Sequence, residues 1–338
     1  MRPQIEAWLN RVWYGQPTPP FWLRLLVPVY RTAFLIHRSL LKSKASELSG
    51  KPILVIGNLT AGGSGKTPLV IRLCRIFRDA GLKAGVASRG YGRHSQGLQI
   101  VTKDSDPALS GDEPLLIAQR TGMPVVVAND RCAAARALFD QGVDLVITDD
   151  GLQHHRLPRS MEICVVDGNR EFGNGWQIPA GPLREPLRRL QEVDFVVVNG
   201  AVGTSLGLPR AISMQLQPGM LHSLDQSLSW RLSQFSGCRA SAIAGIASPE
   251  RFFRTLEQAG VILERHSLPD HHVFSMSDFA GLNPDYPIIM TEKDAVKCRS
   301  LALRNAWYLA VDAHLPSEFE SAVLTGMIAA VQQQRQSL

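Results

Sequence analysis

Residues 51–68 read KPILVIGNLTAGGSGKTP, a glycine-rich run closed by Gly65-Lys66-Thr67. Those residue types at that spacing suit a polyphosphate. Gly62, Gly63 and Gly65 carry no Cβ, so backbone N–H groups can approach phosphate oxygens closely. Lys66 can reach the β- and γ-phosphates of a nucleoside triphosphate, and the Thr67 hydroxyl can ligate Mg²⁺. The candidate ATP-binding segment is therefore Thr60, Ala61, Gly62, Gly63, Ser64, Gly65, Lys66 and Thr67. The strict pattern would place glycine at 60, where this chain has threonine. A strand–helix turn that binds nothing is the plainer alternative, but strand, loop and helix all fall where phosphate binding requires them.

A second constellation, DLVITDDGLQHHRL (144–157), ends an apolar run in two carboxylates. An aspartate at such a strand end can hold Mg²⁺ opposite the loop threonine, which makes Asp149 and Asp150 metal-ligand candidates. His154 and His155 are adjacent and point to different sides, so they do not suggest one metal site. Further polar clusters lie in expected loops at strand ends, where open α/β sheets bind ligands. They are SRGYGR (88–93), Gly111-Asp112-Glu113-Pro114, Asn129-Asp130-Arg131, DGNREFG (167–173) with Asn169 and Arg170, and PAGPLREP (179–186) with Arg184 and Glu185. Basic members could grip anionic substrate oxygens. Asp270-His271-His272 supplies acid/base candidates from the far end of the chain.

These residues need a scaffold, and the pattern around them supplies one. Short apolar runs at 53–57, 84–88, 125–128, 144–149, 162–167 and 194–199 predict strands, and helices are expected at 66–80, 113–121, 130–141 and 184–191. Such alternation implies a parallel sheet covered on both faces. Residues 201–235 look like a crossover. The pattern resumes with strand 241–246, helix 249–259 (Ser248 N-cap, Pro249 at N1), strands at 261–266, 287–291 and 307–311, and a terminal helix at 316–333. The expected fold is α/β: a phosphate-loop parallel-sheet domain over 46–205, a smaller α/β lobe over 206–338, and an N-terminal amphipathic helical segment over 1–45. Part of the terminal helix could pack back on the first domain.

The 338 residues suit about two domains. The five cysteines (74, 132, 164, 238, 298) are scattered and form no C-x-x-C, as expected of isolated thiols in a reducing compartment. A net charge of +6 favours anionic partners. No acid lies between Glu6 and Glu47, where Arg24, Arg31 and Arg38 recur every seven residues beside a face of Trp22, Leu26, Val29, Ala33, Ile36 and Leu40. Charges interrupt any run long enough to span a bilayer. A basic amphipathic segment with aromatics fits either a helix lying in the membrane interface or one packed on its own domain, kinked at Pro28 in both cases. Nucleic-acid binding is disfavoured, because the aromatics lie on an amphipathic face and form no stacking platform.

Taken together, GNLTAGGSGKTP, SRGYGR, GDEP, NDR, DDGLQHH, DGNREFGNG, PAGPLREP, PDHH and TEKDAVK resemble the tetraacyldisaccharide 4'-kinase family, in order and spacing from residue 57 to 297. The resemblance implies ATP-dependent phosphorylation of the 4'-hydroxyl of a tetraacylated glucosamine disaccharide 1-phosphate, a step of lipid A biosynthesis. It implies a membrane-embedded glycolipid substrate, work at the cytoplasmic face of a bacterial inner membrane, and a chain expected to be monomeric. It carries ATP binding onto residues 60–67 and Mg²⁺ onto Asp149 and Asp150. The catalytic pair maps to Asp112 and the PDHH histidine, taken as His271 with His272 left open, and Lys66 joins them in the chemistry. Glu113, Arg131, Arg184 and Glu185 fall in motifs that line the family's site, and Asn169 and Arg170 are tentative substrate contacts. Thr60 is no departure, since the family also lacks that first glycine. A membrane-recruited ATPase switch is the alternative, but such loops carry a lysine near their start, where this chain has Ala61.

Overall fold

A strand buried along its whole length, β1 (Ile53–Gly57), sits at the centre of the sheet that carries the phosphate-loop motif. Five consecutive buried residues require cover on both faces, and the chain provides it. The computed structural model describes residues 2–15, 18–42, 47–200 and 211–337. β1 is flanked in parallel by β5 (Leu145–Thr148) and β6 (Met161–Asp167). Beyond β5 lie β2 (Ala84–Ser88), β4 (Val125–Val127) and the antiparallel edge β3 (Gln99–Val101). Beyond β6 comes β7 (Phe195–Asn199). Helices α3 (Lys66–Asp79) and α5 (Asp112–Thr121) cover one face, and α6 (Arg131–Asp140) covers the other.

The expected crossover is only partly one. Residues 201–210 lie outside the described residues, as do the proposed boundaries at 45 and 205. After them runs the longest strand, β8 (Ile212–Ser223). Its start pairs in parallel with β7, and its remainder pairs antiparallel with β13 (Ala306–His314), so one strand belongs to both halves of the sheet. Pro218-Gly219 interrupts its alternation opposite a register shift between Leu309 and Val311, which hides the strand in the sequence. A short β9 (Ser229–Arg231) pairs with β8. The sheet then continues through β12 (Ile288–Thr291) and β10 (Arg239–Ala244) to β11 (Ile262–Ser267), all parallel to one another.

In this second half, α7 (Pro249–Gln258) packs on the sheet, and α8 (Glu292–Cys298), unanticipated from sequence, begins where Thr291 Oγ1 accepts the Asp294 backbone N–H. α9 (Ser317–Gln336) returns to the first half, where Phe319, Val323, Met327 and Val331 join the core of α3 and α5. A short α4 (Pro107–Ser110) precedes α5. The helix expected over 184–191 is instead a five-residue 3₁₀ turn, Leu187–Gln191, because Pro186 keeps Glu185 out of the helical region.

The N-terminal segment forms α1 (Arg2–Gly15) and α2 (Phe21–Lys42), with Pro28 inside the second. Leu23 and Val27 bury against Val12 and Ala180. Further along that stripe the Tyr30 hydroxyl donates to the Arg184 carbonyl at 2.9 Å, and Phe34 meets His155 edge-on. Trp22, Leu25, Leu26, Val29, Leu35, Ile36 and Leu40 remain exposed. Packing on the domain and presentation of an apolar face thus occur together, on different sides of one helix. Among the described residues no helix is long and apolar enough to cross a membrane.

Candidate active site

From Gly57 the chain turns through residues 58–65 into α3. Gly65 holds φ at 86°, and a Cβ there would meet Asn199 Nδ2 at 2.3 Å. Only glycine fits this left-handed close approach. Asn58 Nδ2 donates to the Gly62 carbonyl at 3.1 Å, and Asn58 Oδ1 accepts from Lys66 Nζ at 3.2 Å. Asn199 Nδ2 donates to the Ser64 carbonyl at 3.2 Å. Two buried asparagines therefore set the loop's shape and hold Lys66 over it. Ser64 Oγ is buried without a hydrogen-bond partner, as a hydroxyl waiting for an anion would be.

Opposite the loop, at the end of β5, the two adjacent carboxylates diverge. Asp149 is buried, and its Oδ1 has no hydrogen-bond partner. Burial chiefly, with Glu113 adding, pushes its pKa up to about 7 against the pull of Lys66. Asp150 adopts φ 56° and turns toward Lys66 Nζ (3.5 Å) and Arg184 Nη1 (3.1 Å from both oxygens). Burial opposes its charge, but Lys66 and Arg184 outweigh burial and draw its pKa down to about 2. An orphaned carboxylate oxygen facing a hydroxyl-bearing loop fits a hard divalent cation such as Mg²⁺. Asp150, in contrast, is already paired with Lys66 and Arg184.

Across the cleft, Gly111 (φ 88°) turns the chain so that Asp112 opens α5. His271, held at φ 58°, brings Nδ1 to 3.4 Å from Asp112 Oδ2. His272 turns away and meets Asp278 Oδ1 at 3.1 Å, so His271 is the histidine that faces the carboxylate. The Tyr91 ring lies 5.0 Å from the His271 ring. Glu113 and Lys66 both act on the charge of Asp149, so the start of α5 and the phosphate loop border the same carboxylate.

The remaining candidates divide. Arg131, buried at the start of α6, donates to the carbonyls of Asn129 (3.3 Å) and Asp150 (3.5 Å). Its pKa is lowered, first by burial and then by Arg89, with Asp150 opposing. Glu185 is fully buried and accepts from Gln153 Nε2 at 3.0 Å. Arg131 and Arg184 thus reach Asp150, Glu113 adds to the charge around Asp149, and Glu185 stands behind Gln153 beside Arg189. Asn169 is exposed, and Arg170 donates to the Ala247 carbonyl at 2.9 Å and lies over the Tyr14 ring of α1. Arg170 borders the phosphate loop through Tyr14, whose hydroxyl donates to the Ala61 carbonyl at 3.3 Å. Asp130, Cys132 and His154 also approach one another, but Asp130 caps the Cys132 N–H and His154 Nε2 accepts the Arg131 N–H. Sequence reasoning missed Asn58, Asn199 and Lys293. The two asparagines carry a legible signal, a lone amide closing or directly following an apolar strand.

The family model described as LpxK, tetraacyldisaccharide-1-P 4'-kinase, matches residues 20–328. The chain belongs to that family. It is an enzyme, a kinase of lipid A biosynthesis that acts on a hydroxyl group. The tetraacyldisaccharide 4'-kinase of Hahella chejuensis is 47% identical over 326 residues, covering 94% of this chain and 95% of the relative. That of Xanthomonas oryzae is 46% identical over 324 residues, covering 92% and 93%. A crystal structure described as the "apo" form of LpxK from Aquifex aeolicus in complex with ATP has the same fold, with a TM-score of 0.73 at 24% identity, covering 90% of this chain and 97% of that one.

Proposed function

We propose that this kinase transfers the γ-phosphoryl group of ATP to the 4'-hydroxyl of a membrane-held tetraacyldisaccharide 1-phosphate, with the roles divided as follows. The loop 60–67 holds the polyphosphate, Lys66 places its charge along the β- and γ-phosphates, and Ser64 supplies a hydroxyl. Thr67 and Asp149 would hold Mg²⁺, which when bound would offset charge on the transferring group. A sugar hydroxyl is a poor nucleophile at neutral pH, and Asp112 accepts its proton as attack develops. His271 orients that carboxylate. Arg131 and Arg184 offer cations to anionic oxygens of either substrate, and phosphoryl transfer needs little beyond such positioning and charge stabilisation.

The observation that carries this reading is the Asp112–His271 contact, built from two halves of one chain over the cleft that holds the phosphate loop. One chain supplies both members of this pair, which supports a monomer. The apolar outer face of α2 supports work at a membrane surface, on the cytoplasmic side where ATP is found. Family membership sets aside the ATPase-switch alternative.

Mass spectrometry of the purified protein with ATP, Mg²⁺ and a lipid A disaccharide precursor should show one added phosphate. Asp112→Asn should keep ATP binding and lose turnover by about 10²-fold or more. Equal turnover in that variant removes Asp112 from the chemistry.

A further inference from the structure

We propose that Lys293 is a positioning residue that fixes the tautomer of His271, and that this leaves Asp112 with one oxygen free to act as base. The inference rests on the dyad reading above and deepens it. Lys293 is the second residue of α8, with its side chain 18% exposed. Its Nζ lies 3.3 Å from Glu113 Oε1, 3.5 Å from Asp270 Oδ1 and 3.5 Å from His271 Nε2. Burial by itself disfavours the ammonium, but Glu113, Asp270 and Asp112 more than reverse that and raise its pKa above the ordinary lysine value.

An ammonium has three donors and no acceptor. Facing Nε2, it leaves that nitrogen one role, that of acceptor. The ring proton therefore sits on Nδ1, which donates to Asp112 Oδ2. The reverse tautomer would aim an N–H at the ammonium and a lone pair at the carboxylate, replacing two attractive contacts with two repulsive ones. A doubly protonated ring would likewise face a cation. Of the groups around the ring, Asp112 comes from α5, Tyr91 from the loop after β2, and Lys293 from α8. Asp270 Oδ2, 4.0 Å from Nε2, is the one that pulls the other way. It is the weaker pull, since Asp270 lies farther from the ring than Lys293, and its other oxygen serves Lys293 and the His271 backbone N–H.

The placement of Lys293 is itself built in. Its neighbour Glu292 takes Arg120 Nη1 at 2.6 Å on both carboxylate oxygens. Arg120 stands in the last turn of α5, the helix that Asp112 opens, so the start of α8 is tied to the element that carries the base.

The test uses the full chain labelled with ¹⁵N-histidine, with the His271 signals assigned by loss in His271→Gln. Long-range ¹H–¹⁵N spectra should show the Nδ1–H tautomer in the unmodified protein, a mixture with imidazolium in Lys293→Met, and recovery in Lys293→Arg. In Lys293→Met, kcat should fall about tenfold or more with KM for ATP unchanged. An Nε2–H tautomer in the unmodified protein, or a Lys293→Met variant with unaltered spectrum and kcat, overturns the proposal. Full turnover in Asp112→Asn alongside the expected spectra would overturn the dyad's chemical role and leave the tautomer assignment standing.

Discussion

At the scale of single residues, the informative contrast is between Asp149 and Asp150, chemically identical neighbours whose proton affinities the fold shifts in opposite directions. Asp149 loses solvent and gains the repulsion of Glu113, while Asp150 gains two cations. Its raised pKa makes Asp149 a stability switch with a definite sign. In the folded protein it binds a proton more tightly than in the unfolded chain, so its contribution is complete below the unfolded value and is lost as pH rises through about 7. With ATP and Mg²⁺ absent, Tm should fall by about 2–5 °C between about pH 5 and pH 8. Asp149→Asn should flatten that fall. Scanning calorimetry across this range checks it, and an unchanged slope in the variant would assign the pH dependence to other groups. Mg²⁺ with ATP should restore stability at the high-pH end, where the carboxylate is charged and ready for a cation.

At the scale of elements, α2 divides its labour by angle. Leu23, Val27, Tyr30 and Phe34 recur at helical spacing and dock the helix, while the side that bears Leu25 and Val29 stays in solvent. An unpartnered apolar face beside exposed arginines is what an interfacial helix presents to an anionic bilayer. Replacing both Leu25 and Val29 with glutamate should change folding stability by less than about 1 kcal/mol, since neither packs in the core. Flotation on vesicles containing anionic lipid should drop sharply, and activity on long-chain acceptor should drop with it. Unchanged flotation would mean that the outer face of α2 is not the membrane contact.

At the scale of the whole molecule, the two halves are joined more firmly than two tethered lobes. β8 runs through both parts of the sheet, and α9 returns across the junction. Arg120 fastens α5 to Glu292 of α8 and Asp312 of β13, and Arg75 of α3 meets Asp312 at 2.8 Å. The Arg120 and Glu292 side chains are largely buried, at 14% and 11% exposed, so truncating one partner leaves a poorly compensated charge. Arg120→Ala should cost about 3 kcal/mol in denaturant unfolding. It should also lower kcat, because the start of α8 and hence Lys293 would lose their anchor. A stability loss with full kcat would separate the clamp from catalysis.

Much of this protein is legible along the chain because the signals are local. The apolar run of β1, the glycines and Lys66-Thr67 announce a phosphate loop, and the apolar run of β5 delivers its carboxylates to the same edge of the sheet. Both depend on residues within a few positions of one another. The distances that pair Asp112 with His271, or set Lys293 between Glu113 and that ring, span a large part of the chain and have no local signature. The choice of His271 over His272 and the different fates of Asp149 and Asp150 are likewise tertiary facts. Burial and neighbouring charge decide them, and both exist only once distant segments have packed together.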